Sequence, residues 1–265
     1  MNILEAIVLG AIQGLTEFLP VSSSGHLVLL QKIFGIAEPM LLFDTMVHVG
    51  TLIAVFIVLW NDILAILRRI VQPLTGYLIL ATIPTVIVAL LFKDLIEETF
   101  QSAAFLGFSF LFTALILLIS EQMSRFSGRI KPQAAMDWFD ALVIGICQAV
   151  AIIPGVSRSG LTLSGALSRR LNRDFAARFA FLLSIPAILG ALVLQLKDLA
   201  ESGFTLTIAP APLIAGTAAA AIIGFFSIKF MLKIVKTRSL RGFALYVAIL
   251  GLLVLADQHF SHFFF

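Results

Sequence analysis

The sequence predicts an all-α polytopic membrane protein, an inverted-topology repeat with about six transmembrane helices and two re-entrant helical hairpins. The first observation behind this is composition: 60% of the 265 residues are apolar and 12% charged, with a mean hydropathy of +1.07, whereas soluble domains carry about 25% charged residues. The second is a polar segment written twice. Gly10-Ala-Ile-Gln13 leading to Val21-Ser22-Ser23-Ser24-Gly25 recurs without a gap as Gly145-Ile-Cys-Gln148 leading to Val156-Ser157-Arg158-Ser159-Gly160. The third is the alternation of basic and nearly bare connections between the apolar runs, which fixes a topology.

In chain order, residues 1–19 and 25–36 are two short apolar arms separated by Pro20. Runs at 41–60, 74–92 and 102–120 follow, each near the roughly 20 residues that cross a hydrocarbon core. A basic linker, 121–137, leads to a second pair of short arms, 138–153 and 160–168, broken at Pro154-Gly155. Runs at 175–196, 208–228 and 242–256 complete the chain, the last being the shortest. This gives one integral membrane domain over 1–265, with repeats at approximately 1–120 and 138–256. A weaker echo, Phe43–Ala54 against Phe179–Gly190, extends the repeat beyond the motif.

The basic connections hold Arg68 and Arg69; Arg125, Arg129 and Lys131; Arg169, Arg170, Arg173 and Arg178; and Lys229, Lys233, Lys236, Arg238 and Arg241. The poor ones hold Lys93 with Asp94, Glu97 and Glu98, and Lys197 with Asp198 and Glu201. The positive-inside rule puts the rich loops in the cytoplasm. The region 138–168 then begins and ends inside, and 1–36 begins and ends outside, so neither is a simple span. A broken helix at that depth must be buried in protein or line a polar cavity, and opposite hairpin orientations follow the inverted-repeat plan.

The small basic excess, 18 Lys+Arg over 15 Asp+Glu, lies in topology-setting loops and gives no nucleic-acid signal. One cysteine, Cys147, excludes an internal disulfide and Cys/His metal motifs. The first residues lack a signal peptide's basic start and cleavage site, so the N-terminal segment is expected to be retained.

Hydroxyls, Glu17, His26 and Arg158 among apolar runs imply a buried polar site. Proline followed by a hydroxyl cluster restarts a helix, and Ser22, Ser23, Ser24, Ser157 and Ser159 divide between capping and chemistry. Two helix starts beside Arg158 form an anion trap suited to phosphate. Arg158 can pair with Glu17 at rest and clamp a phosphoryl group when the pair opens. Gln13 and Glu17, four apart, share one face of the first arm. A carboxylate beside phosphate suits a divalent metal, proton transfer or orientation of a histidine. His26, three after Ser23, can serve as base to a serine nucleophile or as proton donor to a leaving group. Asp44 and His48, one turn apart at the outer end of the first full span, read as an interfacial hydrogen-bonded pair, or else as lining the cavity mouth. Arg169, Arg170 and Arg173 read as a topology anchor, and the phenylalanine-rich end with His259 and His262 as an interfacial tail.

Gln13-Gly-Leu-Thr-Glu17-Phe-Leu-Pro20-Val-Ser22-Ser23-Ser24-Gly25-His26, together with Pro154-Gly-Val-Ser157-Arg158-Ser159-Gly160, resembles the paired signature of the undecaprenyl-diphosphate phosphatases, also called bacitracin resistance proteins. The likeness covers essentially the whole chain. It implies a multi-pass enzyme of the bacterial inner membrane that removes the terminal phosphate of a C55 prenyl diphosphate, regenerating the lipid carrier for cell-wall synthesis and conferring bacitracin resistance. It further implies that the family's acidic motif falls on Gln13 and Glu17, its serine and histidine on Ser23 and His26, and its arginine on Arg158. Catalytic roles are expected for Glu17, Ser23, His26 and Arg158, and substrate binding by Gln13 and by the residues around the two helix starts, Ser22, Ser24, Ser157, Ser159 and Gly160. A divalent cation, magnesium or calcium, is implied as cofactor, held by Glu17 with Gln13. The family's first acidic position is Gln13 here, which weakens any mechanism demanding two carboxylates. Serine attack on phosphorus and direct attack by water both remain open, as do monomer and homodimer. A lipid-phosphate transporter using the same anion site is the second reading. An intramembrane serine protease is the third, and has no use for Arg158.

Overall fold

Proline and glycine decide where the chain stops being helical, and in the structure, a computed structural model, they do so at both copies of the polar segment. Residues 1–36, 40–126, 130–201 and 208–264 are described, so Arg129 of the basic linker lies outside the described residues. Helix α1 (Ile3–Thr16) opens on a capping box of Asn2 and Glu5 and ends at Glu17, whose N–H bonds Gln13 O at 2.9 Å. Pro20 has no N–H with which to continue. The chain turns, and Ser22 caps α2 (Ser23–Ile33) by accepting from Gly25 N at 3.2 Å.

The second copy repeats this plan later in the chain. Helix α8 (Trp138–Val150) opens on a capping box of Asp137 and Asp140, and Ser157 caps α9 (Arg158–Ser168) by accepting from Gly160 N at 3.1 Å. Between them Gly155 sits at φ 84, where a Cβ would also stand 2.8 Å from Ser109 Cβ. Both backbone and packing therefore require glycine there.

All six predicted spans are present as helices long and apolar enough to cross a membrane: α3 (Leu41–Val58), α5 (Pro73–Leu91), α7 (Leu106–Phe126), α10 (Arg173–Glu201), α11 (Pro210–Thr237) and α12 (Arg241–Ala256). The described residues contain no strand, and the chain is a multi-pass, all-helical membrane protein. Two helices were not anticipated, α4 (Trp60–Arg68) and α6 (Lys93–Ser102). Both are short and amphipathic, carrying charges that a search for apolar runs passes over. Helix α11 runs to Thr237, beyond the end of the apolar run at 228, because Lys229, Lys233 and Lys236 are good helix formers.

Helix α1 lies along α11, and α8 lies along α5. Each short arm thus packs on a span from the other part of the chain. Small residues allow the approach: a Cβ on Gly10 would stand 2.1 Å from Gly216 O, and one on Gly145 would stand 2.5 Å from Ala81 O. In lipid, where apolar burial gives helices no net attraction, such close backbone contact is what holds them. Helix α7 similarly packs on α12, and α3 on both α10 and α11.

The base of the α8–α9 pair is tied by charge. Asp140, fully buried, accepts from Lys131 Nζ at 3.0 Å and from Arg169 Nε at 2.7 Å, while Lys131 also reaches Asp137 at 3.2 Å. The guanidinium of Arg169 lies 4.8 Å from the Phe139 ring. Arg173 bonds Glu121 at 3.1 Å and the carbonyls of Val235 and Arg238 at 2.8 and 3.2 Å. Arg169 and Arg173, expected only to anchor topology, thereby also join elements distant in sequence.

Candidate active site

The two chain breaks touch. Ser24 Oγ accepts from Gly155 N at 3.4 Å, and Ser159 Oγ donates to Leu19 O at 2.8 Å, so each copy bonds the other's turn. This brings the starts of α2 and α9, with their positive dipole ends, to one place. Ser22 holds the first turn with φ 70, a left-handed conformation uncommon outside glycine that here aims Ser23 back toward α1.

Glu17, 5% exposed, is the hub. Its Oε1 pairs with the Arg158 guanidinium. Its Oε2 accepts from Ser23 Oγ at 2.5 Å and from Gln13 Nε2 at 2.9 Å, and His48 Nε2 stands 3.5 Å away. The i, i+4 spacing of Gln13 and Glu17 gives the contact within α1. The cross-chain contact follows from the breaks, which place Arg158 at the first position of α9 facing the end of α1. A carboxylate so buried is tolerable only when paired, and removing one member of such a pair costs about 3–5 kcal/mol.

Of the residues singled out from sequence, Gln13, Glu17, Ser23 and Arg158 therefore form one cluster. Ser22, Ser157 and Gly160 build its walls: the two serines are the helix caps, and a Cβ on Gly160 would stand 3.3 Å from Pro20 Cβ. Ser24 and Ser159 join the two turns. Ser157 N also donates to Thr113 Oγ1 of α7 at 3.1 Å.

The Ser23–His26 pairing, one of two roles the spacing permits, is not formed. His26 Nδ1 bonds Ser22 O at 2.7 Å, one turn back along its own helix, and Nε2 bonds Tyr246 OH of α12 at 2.8 Å. Both ring nitrogens are thus engaged away from Ser23, whose hydroxyl goes to Glu17 instead. The ring stacks on Tyr246 at 5.7 Å and 15°, and meets the edge of Phe110 at 5.6 Å.

His48 enters the cluster, the alternative that its sequence reading set beside an interfacial pair. Its Nδ1 bonds the main-chain Asp44 O at 2.6 Å, and the Asp44 carboxylate accepts from Gln31 Nε2 at 2.8 Å. The expected hydrogen bond between Asp44 and His48 is thus formed through a main-chain oxygen, which leaves the far ring nitrogen to face Glu17. The histidine–aspartate spacing marked these residues, but no local pattern marked Tyr246 or Thr113.

Gln13 Oε1 is buried with no hydrogen-bond partner. Among the described residues no three of His, Cys, Asp or Glu converge as a metal-binding group. The donors here are one carboxylate and a spare amide oxygen. That set fits a hard cation that takes its remaining oxygens from phosphate and water, the usual habit of magnesium.

Residues 6–253 match the family described as Bacitracin resistance protein BacA. An undecaprenyl-diphosphatase of Carboxydothermus hydrogenoformans is 50% identical over 259 residues, covering 97% of this chain and 98% of that protein. One from Methanosphaera stadtmanae is 43% identical over 277 residues, covering 96% and 98%. Undecaprenyl-diphosphatase 4 of Bacillus thuringiensis subsp. konkukian is 44% identical over 258 residues, covering 97% and 98%. The polar segment and its second copy thus sit in a full-length match, and the chain belongs to the bacitracin resistance protein BacA family.

Proposed function

We propose that this protein is an integral membrane phosphatase that hydrolyses undecaprenyl diphosphate to undecaprenyl phosphate and inorganic phosphate. In a bacterial inner membrane this reaction would recycle the lipid carrier for cell-wall synthesis and confer bacitracin resistance. The observation that carries the reading is the single cluster in which the Glu17 carboxylate holds both a hydroxyl nucleophile, Ser23, and an anion-binding group, Arg158. Full-length relatives named for this activity support the substrate assignment.

The architecture we propose for the site is that of two re-entrant helix pairs, 1–36 and 138–168, in inverted repeats of approximately 1–120 and 138–256. The matched packing of Gly10 on Gly216 and Gly145 on Ala81 supports this plan. Such tips, buried in protein beneath an apolar wall, suit a headgroup that arrives laterally from lipid.

In the mechanism, the terminal phosphate displaces Glu17 from Arg158, and the guanidinium together with the starts of α2 and α9 holds its oxygens. Ser23 Oγ attacks the terminal phosphorus in line with the bridging oxygen and gives its proton to Glu17, its observed hydrogen-bond partner. The bond between phosphorus and the bridging oxygen breaks, and His26 supplies a proton to the departing prenyl phosphate. Water then enters where the prenyl phosphate left, gives a proton to the now neutral His26 and attacks the phosphoserine; the bond between phosphorus and Ser23 Oγ breaks, Glu17 returns its proton to that oxygen, and inorganic phosphate leaves. Glu17 and Gln13 Oε1 would hold a divalent cation, which when bound neutralises phosphate charge.

The test is phosphate release from a prenyl diphosphate by purified protein in detergent, with and without chelator. Release that is lost in Glu17→Gln and in Arg158→Ala supports the phosphatase. Binding of the lipid without release would point instead to transport.

A further inference from the structure

The His26 ring is held by a residue that no sequence pattern marked. Ser22 O can only accept a hydrogen bond, so Nδ1 carries a proton, and in the neutral imidazole Nε2 is then an acceptor for the Tyr246 hydroxyl at 2.8 Å. This is the tautomer left behind after a histidine has donated from Nε2. The ring is 7% exposed, closed in by Phe110 from α7 and stacked on Tyr246 from α12, whereas Tyr246 itself is 48% exposed. Phe110 can come so close because residue 25 is glycine: a Cβ there would stand 2.7 Å from the ring. Tyr246 thus has one face on the histidine and another on the outer surface of an apolar span.

We propose that Tyr246 is the positioning residue of His26 and stands where the prenyl-bearing phosphate enters. The inference rests on the phosphatase reading above. In that reading His26 protonates the bridging oxygen, so the prenyl phosphate must depart past the imidazole toward lipid, and the hydroxyl bonded to that imidazole belongs to Tyr246, half-exposed on an apolar span. Its hydroxyl keeps the imidazole plane and tautomer fixed between turnovers, donating to neutral Nε2 and accepting from Nε2–H when the ring is charged. As the bridging bond breaks, the Nε2 proton passes to the leaving oxygen, and the neutral ring returns to the Tyr246 hydroxyl. Stacking alone would leave the ring free to pivot about its Nδ1 bond.

The experiment uses full-length protein in detergent with a prenyl diphosphate, and compares wild type, Tyr246→Phe, His26→Gln and the double variant. Tyr246→Phe keeps the stacked ring and removes only the hydroxyl. Loss of one hydrogen bond that orients a proton donor corresponds to roughly a tenfold fall in kcat, with KM little changed and the detergent-solubilised fold intact by thermal shift. In the His26→Gln background the same substitution should cost nothing further, since coupled residues are non-additive. Wild-type turnover in Tyr246→Phe, or full additivity in the double variant, would overturn the assignment while leaving the phosphatase reading standing. Wild-type protein that binds the lipid but releases no phosphate would sink the phosphatase reading and this inference with it.

Discussion

The Ser23 hydroxyl donates to Glu17 Oε2 at 2.5 Å across the turn that contains Pro20. The hydroxyl expected from the motif as a nucleophile therefore faces the carboxylate on the preceding helix and not the histidine three residues on, and in the proposed mechanism that carboxylate is its base. Glu17 touches both the Ser23 hydroxyl and the Arg158 guanidinium, so in the proposed mechanism binding of an anion and activation of the hydroxyl would meet on one residue.

Ser23→Ala separates covalent from direct hydrolysis. If serine attacks phosphorus, turnover should fall by about 10³-fold or more, as it does when an activated nucleophile is removed. KM should move less than kcat, because Arg158 and the helix starts still hold phosphate. Phosphate release measured in detergent checks this, and a fall of tenfold or less would mean that water attacks directly and Ser23 only binds.

Much of the fold was legible in the sequence because membrane spans follow from apolar length and loop charge, and the breaks from Pro20 and Pro154-Gly155. The core of the site was legible for a related reason: Gln13, Glu17, Ser23 and Arg158 are costly at depth, so their presence signalled convergence. Side-chain direction was not. Ser23 and His26 are one turn apart, yet the strained Ser22 turns the hydroxyl toward α1 while the imidazole folds back on Ser22 O. Asp44 and His48 are also one turn apart, yet they meet through a main-chain oxygen. Tyr246 and Thr113 reach the site from α12 and α7, over sequence separations that no local spacing encodes.

Arg158→Lys tests whether the guanidinium is needed for its shape or only its charge. Lysine offers a compact charge on a flexible stem and cannot fork across two phosphate oxygens. The expected loss is about 10²- to 10³-fold in kcat/KM, the usual scale for one electrostatic group aimed at developing charge. Arg158→Ala should lose more and also lower stability by about 3 kcal/mol, since Glu17 is then buried without its cation. Steady-state kinetics with thermal unfolding in detergent distinguishes the two variants.

Gly10→Ala and Gly145→Ala test the matched packing of the short arms. Each new methyl would lie within 2.5 Å of a backbone carbonyl oxygen, of Gly216 and Ala81 respectively, and backbone cannot swing aside as a side chain can. Overpacking of this kind costs about 1–3 kcal/mol. Gly190→Ala, where a Cβ meets nothing within 4 Å, is the control and should not lower stability. Activity should fall with stability at the first two sites and remain at the third.

Asp140→Asn tests the charge cluster that seats the α8–α9 pair, and with it Arg158. Lys131 and Arg169 would each lose the carboxylate they share, although both are part-exposed and can turn to water. The expected cost is about 1–3 kcal/mol rather than the full penalty of a stranded buried charge. Acid should act on the same cluster. The Asp140 N–H, followed by Lys131, holds the Asp137 carboxyl below its usual range, and Asp140 and Asp137 together hold the Lys131 ammonium above its own. A depressed carboxyl contributes stability above its ordinary value of about 3.9 and loses it as pH falls through the lower folded value. A raised ammonium contributes below its ordinary value of about 10.4 and loses it as pH rises through the higher folded one. Thermal unfolding should therefore be flat in pH between these limits for the cluster's share, and fall at either end. In Asp137→Asn the acid-side loss should shrink, while a pH profile unchanged from wild type would mean that the cluster does not hold the α8–α9 pair in place.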